Sequence, residues 1–245
     1  MKKGEIGEFY ARLAERTPEP ETELEYVNDY TLLVAVVLSA QATDASVNLA
    51  TRDLFAQVTT PEQMLELGEE RLREAIKTIG LFNTKAKNVI ALSRALVEQH
   101  GGTVPANRDA LEALPGVGRK TANVVMNCAF GAETFAVDTH VFRVANRTAL
   151  ARGKTPLEVE EKLDRLTPPP YRRHAHHCLI LHGRYVCKAR RPECWRCVVR
   201  ELCRYQPKTP APGSDEEAMA KASRKKAAKA SARAGRPARA RPART

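Results

Sequence analysis

Long apolar runs are missing from this chain. The most apolar stretch, Leu32 to Leu38 (LLVAVVL), is bounded by Thr31 and Ser39. It is far short of the roughly 20 residues a bilayer requires, so it reads as a fully buried helix rather than a membrane span. A targeting segment is missing too: MKKGEIGEFYARLAER opens with two lysines but has no apolar stretch behind them and no small-residue cleavage site. The expectation is a cytoplasmic protein with no membrane partner. Alternation of apolar and polar residues, the mark of a half-buried strand, is nowhere sustained, and no internal repeat occurs.

Positive charge is what the chain has in excess. The net charge is +11, and from Ser214 onward ten Lys or Arg face three acids, which leaves +4 for the rest. The stretch AMAKASRKKAAKASARAGRPARARPART has almost no apolar side chain larger than alanine and cannot offset the entropy of ordering itself. It is expected to be disordered and, as a polybasic arm, to add non-specific affinity for a polyanion by releasing counterions. Truncation after Gly213 should flatten the salt dependence of binding.

The remainder is long enough to bury a real core. Leu65, Leu67, Leu72, Ile76 and Ile79 fit short helices, and Val89, Ile90, Leu92, Leu96 and Val97 form an amphipathic one that stops at Gly101 and Gly102. Turns such as Thr59 to Pro61 and Gly102 to Pro105 join them. The fold class expected is all-α.

One segment departs from this pattern. LPGVGRKTANVV places Pro115, Gly116 and Gly118 within four residues and then resumes a helix with Lys120 in its first turn. Proline blocks backbone donation and glycine enters left-handed geometry readily, so the chain must turn sharply here, giving helix, hairpin, helix up to Gly131. Small residues at 116 and 118 let backbone N–H groups converge on an oxygen anion in front of a helix N-terminus, as a DNA phosphate would require. GVGRKT has a superficial likeness to a nucleotide-binding P-loop, but Arg119 separates glycine from lysine and no strand precedes it. Lys120, Val124 and Cys128 form one row at spacing four, so the Lys120 stem extends an apolar stripe. The helix dipole and partial desolvation both disfavour a charged amine there, which is how an amine becomes a nucleophile. In FAVDTHVFRVANRT, Asp138 is placed as the N-cap of a helix whose buried row is Val141, Val144 and Ala145.

Four of the six cysteines, Cys187, Cys194, Cys197 and Cys203, have the spacing C-x6-C-x2-C-x5-C. Four thiolates so close repel unless a cation neutralises them, so metal ligation is expected. Zinc usually takes two C-x2-C knuckles and one is present, so an iron-sulfur cluster fits better. The long first gap presents Lys188, Arg190 and Arg191 to a phosphate backbone, and Trp195 lies between two ligands. Cys128 and Cys178 read as core residues, and HAHH at 174–177 as helix surface and core.

LPGVGRKTA followed by VDTH, together with SAQATD at Ser39 to Asp44, IGLFNTKA at Ile79 to Ala86, LHGRYVC and the cysteine spacing, resembles the helix-hairpin-helix, Gly/Pro...Asp superfamily of DNA glycosylases. Within it the match is to the endonuclease III family, over roughly Leu24 to Cys203. The resemblance implies a two-lobed all-helical fold: a six-helix lobe at 24–131, an iron-sulfur lobe made of 1–23 with 132–211, and a disordered basic tail at 212–245. It implies a monomeric bacterial enzyme of base excision repair, associated with the nucleoid through its DNA. Such an enzyme removes oxidised pyrimidines from damaged duplex DNA and cuts the strand by β-elimination through a Schiff base. A [4Fe–4S] cluster on the four cysteines is implied, and no nucleotide cofactor.

By the same resemblance Lys120 attacks the sugar C1′, and Asp138 deprotonates the amine or steadies positive charge on the sugar. Gly116, Val117, Gly118 and Arg119 hold a phosphate, Gln41 fills the vacated stack and Leu81 wedges the opposite strand. Ser39, Asp44 and His140 lie near the pocket, although Asp44 also suits a helix cap. Two other readings stand beside this one. An adenine-specific mismatch glycosylase of the same superfamily normally lacks the lysine and carries a further C-terminal domain. A non-catalytic DNA-binding module would not need Lys120 and Asp138 together.

Overall fold

A computed structural model describes residues 1–219 and residue 222. The described residues contain helices and turns and no strand. The order is α1 (Lys3–Arg16), α2 (Asp29–Leu38), α3 (Asp44–Phe55), α4 (Pro61–Ala75), α5 (Phe82–His100), α6 (Arg108–Glu112), α7 (Arg119–Phe130), α8 (Thr139–Thr148), α9 (Pro156–Leu166) and α10 (Arg172–Tyr185), with 3-10 turns at Pro169–Tyr171 and Cys194–Arg196. Most of the expected basic arm lies outside the described residues. Its beginning is ordered: residues 215–219 are helical, because the Ser214 hydroxyl accepts from the Glu217 N–H and caps the turn.

Local sequence explains the boundaries. Asn28 caps α2 by accepting from the Thr31 N–H, and Thr60 caps α4 with Pro61 at the first helical position, where a missing N–H is harmless. Leu65 and Leu67 on one side and Leu72 on the other lie on two short helical stretches, as expected, which meet at a kink at Gly68 (φ 79) within α4, and Ile76 and Ile79 follow in the turn after it. Gly101 and Gly131 end α5 and α7 in the left-handed conformation.

Two apolar clusters hold the molecule together. One is supplied by α2 to α7 and the turns between them, and the whole run from Leu32 to Leu38 is buried in it. Burying each such side chain stabilises by about 1.5–3 kcal/mol. The other joins Ile6, Phe9, Tyr10 and Leu13 of α1 to Val141, Val144 and Ala145 of α8, to Leu179 of α10, and to Val199 and Leu202 near the C-terminal end. The chain thus returns its first helix to its last segments. Helix α7 spans the boundary between the clusters: Asn127 donates to the carbonyls of Ala132 and Arg173, and Asn123 to that of Phe135.

Helices α8 and α10 touch closely, because a Cβ at Gly183 would lie 2.8 Å from His140 Cβ and 3.2 Å from the His140 carbonyl oxygen. Only glycine permits that crossing, and the crossing fixes where α8 begins.

Candidate active site and cysteine cluster

Lys120 is the second residue of α7, and Asp138 is the N-cap of α8. Both line one cleft, with Ser39, Asp44, His176 and Arg184. The Asp138 Oδ1 accepts from the backbone N–H groups of His140 and Val141, each at 2.8 Å. One oxygen therefore serves the cap and fixes the direction of the carboxylate, while the other has no protein partner among the described residues. Capping and a role in the cleft are compatible.

Lys120 itself is exposed, which corrects the expectation of a partly desolvated amine. The buried face of α7 runs through Ala122 and Val125. The row carrying Lys120 and Val124 lies at the edge of that face, and Val124 lines the cleft beside Lys120.

Asp44 does not cap α3; Thr43 does, accepting from the Ser46 N–H. The Asp44 carboxylate instead accepts from Arg184 at 2.9 Å, and the same guanidinium pairs with Glu23, as does the Tyr185 hydroxyl. Burial pushes the Asp44 carboxyl above its ordinary range; Lys120 and His140 oppose that push and the neighbouring Asp138 charge adds to it. His140 is oriented by its own backbone bond to Asp138 and by a 3.1 Å contact from Arg143 to its Nδ1. The Ser39 hydroxyl donates to the Val36 carbonyl at 2.9 Å.

The hairpin between α6 and α7 turns on Gly116, at φ 79, where an added Cβ would lie 2.8 Å from Asn88 Cβ. Gly116→Ala meets both a left-handed backbone and this contact, so it should cost about 1–3 kcal/mol by backbone strain alone. Thermal unfolding of the variant checks it. Around Gly118, by contrast, no atom lies within 4 Å of an added Cβ, so this side of the turn is open to an approaching group. The Val117 side chain is buried and its N–H is committed to the Leu114 carbonyl. Val117 therefore anchors the turn and donates nothing outward. Arg119 directs its guanidinium to Glu160 of α9, with bonds of 2.8 to 3.2 Å. What the hairpin offers a phosphate is backbone: the N–H groups at the start of α7, which a helix leaves unpaired.

Gln41 and Leu81 share a backbone peculiarity. The non-glycine residues at positive φ among those described are Gln41 (φ 56), Leu81 (φ 61) and Ala149 (φ 61). Leu81 is also 60 % exposed. A leucine held outward on a left-handed backbone costs stability twice, and such strain collects at functional sites.

At the other end of α8, Cys187, Cys194, Cys197 and Cys203 line one small cavity. None is in a disulfide, and Cys194 is buried with 8 % of its surface exposed. Burial pushes the Cys197 thiol to about 11 and raises that of Cys187, so thiolates persist here only against a compensating positive charge. Four sulfur donors around one cavity fit an iron-sulfur cluster. His182 Nε2 lies 3.6 Å from Cys197 Sγ, and Arg147 donates to Cys187 Sγ at 3.7 Å.

The loop between Cys187 and Cys194 is fastened from α8. Arg143 donates to the Cys187 carbonyl, and Arg147 to those of Lys188 and Ala189, each at 2.7 Å. These two arginines, four apart in RVANRT, were a basic row legible in the sequence. Lys188 pairs with Glu193 at 2.7 Å and Arg191 with Glu217 at 3.2 Å, while Arg190 is exposed. Trp195, between Cys194 and Cys197 in the chain, is half-buried. Cys178 is a core residue, while Cys128 is half-buried against the first apolar cluster; burial pushes each thiol to about 11. Of HAHH, His174 is exposed and His176 and His177 are buried.

Comparisons with known proteins agree with this arrangement. Residues 34–169 match the HhH-GPD superfamily of base excision DNA repair proteins, and residues 187–203 match the iron-sulfur binding domain of endonuclease III. The chain is 58 % identical over 200 residues to endonuclease III of Rickettsia conorii, covering 82 % of this chain and 95 % of that one. It is 56 % identical over 208 residues to that of Escherichia coli, covering 85 % and 99 %. The fold matches that of a trapped endonuclease III–DNA covalent intermediate with a TM-score of 0.79 and 43 % identity, covering 83 % of this chain and 96 % of the other. Matched over most of its length, and with a capping aspartate and a lysine on one cleft, the chain belongs to the HhH-GPD superfamily and, within it, to the endonuclease III family.

Proposed function

We infer that Lys120 is the nucleophile and Asp138 its partner in the reaction of this base excision repair DNA glycosylase and AP lyase. The observation that carries this reading is the shared cleft, into which two helix N-termini deliver an amine and a carboxylate of fixed direction.

A base inside a duplex is out of reach, so the damaged nucleotide must leave the stack. Exposed Leu81 separates the neighbouring bases and Gln41 occupies the gap, while the hairpin holds a phosphate through the backbone N–H groups of Gly118 and the start of α7 and fixes the register. The resting amine is solvated. DNA closing over the cleft excludes that water and brings the sugar C1′ to the amine. Asp138 takes the proton, the Lys120 nitrogen bonds to C1′, and the oxidised pyrimidine departs with the electrons of the glycosidic bond. Opening of the sugar ring leaves a Schiff base, and loss of a C2′ proton expels the 3′ phosphate.

Cys187, Cys194, Cys197 and Cys203 would hold the [4Fe–4S] cluster, whose contribution when bound is to tie the C-terminal loop to α8. Lys188, Arg190 and Arg191 on that loop contact the phosphate backbone. The two apolar clusters support working lobes at 24–131 and at 1–23 with 132–211. No described helix is long and apolar enough to cross a membrane, and the enzyme acts as a monomer on damaged duplex DNA without a nucleotide cofactor.

Asp138→Asn separates the two roles of that residue. Asparagine caps helices as well as aspartate does, so stability should change by less than about 0.5 kcal/mol. Single-turnover base removal should fall about 10²–10⁴-fold, as expected for losing a positioned proton acceptor. Equal losses of melting temperature and rate would reduce Asp138 to a cap.

A further inference from the structure

His176 stands in the cleft with nothing to bond to. It is 1 % exposed, its Nδ1 is buried without a hydrogen-bond partner, and its Nε2 has no partner among the described residues either. His177, its neighbour on α10, packs edge-on against it with ring centroids 5.0 Å apart and reaches Cys128 Sγ at 3.6 Å. Buried polar atoms in native proteins are almost always satisfied, and an orphan costs about 1–3 kcal/mol. A group that persists in that state at the wall of a binding cleft points to a ligand that supplies the missing bond.

The surroundings narrow what that ligand is. Burial first, and then the charges of His177 and Lys120, press the His176 ring strongly toward its uncharged form. An uncharged imidazole offers one N–H donor and one lone pair. Val36, Val124, Ile180 and Leu181 supply apolar wall around it. An anion would find no charge at His176. A planar or saturated pyrimidine ring with alternating carbonyl and N–H groups can pair with the ring nitrogen that faces the cleft whether that nitrogen donates or accepts, because its edge offers both an acceptor and a donor.

We propose that His176 is a specificity-determining residue, hydrogen-bonding the polar edge of the extruded pyrimidine. The proposal rests on the cleft being the lesion pocket. A base that meets the imidazole satisfies the nitrogen facing the cleft; one that cannot leaves that nitrogen unpaired, and sites of that kind reject poor partners strongly.

The test is single-turnover base removal by His176→Phe and His176→Asn on duplexes containing thymine glycol, alongside β-elimination on a preformed abasic duplex, which has no base to contact. Phenylalanine keeps the ring and removes both polar atoms; asparagine keeps a donor and an acceptor. His176→Phe should slow removal of thymine glycol by about 10- to 100-fold. Abasic cleavage should stay within about twofold, and His176→Asn should recover part of the loss. Equal losses in both reactions would make His176 a support for the fold or for Lys120, and unchanged base removal would make it inert; either result overturns the proposal. Failure of the wild-type enzyme to be trapped by borohydride on abasic DNA would instead overturn the reading of Lys120, whatever His176 does.

Discussion

Lys120→Ala should form no borohydride-trapped adduct with abasic or thymine glycol DNA, and its base removal and strand cleavage should fall on the order of 10³-fold or more. The fold should not suffer, because Lys120 is exposed in the first turn of α7 and alanine is the best helix former. Binding to duplex DNA should persist as well. The hairpin offers backbone N–H groups at Gly118 and the start of α7, and none of these is lost with the Lys120 side chain. The measurement is a pair of gels and a binding isotherm: loss of the covalent band with retained affinity is the expected result. A band of undiminished intensity in Lys120→Ala would move the nucleophile elsewhere. Loss of binding together with chemistry would show that the amine holds DNA rather than attacks it.

How this site could be seen in advance differs from residue to residue. Asp138 was legible because capping is a local rule: an aspartate before a helix with its apolar row at 141, 144 and 145 accepts the first free N–H groups whatever surrounds it. The hairpin was legible for the same reason, since Pro115 and Gly116 leave the backbone few alternatives. The cysteine spacing fixes ligands within a short loop, so it too survives without tertiary knowledge. Burial is a different matter. The row from Lys120 to Cys128 promised an apolar setting, yet the face of α7 that packs is one residue over, and the sequence does not say which of two adjoining rows a neighbouring helix will cover. Asp44 lines the cleft as expected, and the alternative of a helix cap fails because Thr43, beside it, is an equally good cap and takes that position. Arg184 and His176 became part of the cleft only when α10 crossed α8, and that crossing depends on Gly183 meeting His140, a contact between residues 43 apart. The left-handed backbone at Leu81 has no local signal at all, as leucine ordinarily avoids it.

Cys197→Ser should leave the protein with far less iron than the about four atoms per chain of the intact cluster, pale where the wild type is brown. It should also lower the melting temperature by at least about 10 °C, because metal binding by a ligand loop is folding free energy. The loop is not an appendage. Val199 and Leu202, between and beside the ligands, are buried in the same apolar cluster as Phe9 and Tyr10 of α1, and Arg143 and Arg147 spend their guanidinium groups on the carbonyls of Cys187, Lys188 and Ala189. Without the cluster, buried thiols take the place of a charge-compensated centre, and the arginines lose the geometry of their acceptors. The damage should therefore be confined at first to the second apolar cluster, with amide exchange rising in α1, α8 and α10 before it rises in α2 or α5. Activity should follow, because Asp138 caps α8 and the C-terminal half of that helix is what the loop holds. A wild-type protein that is colourless and carries a single zinc would overturn the assignment of the cluster. A Cys197→Ser protein with full iron and an unchanged exchange pattern would remove Cys197 from the ligand set.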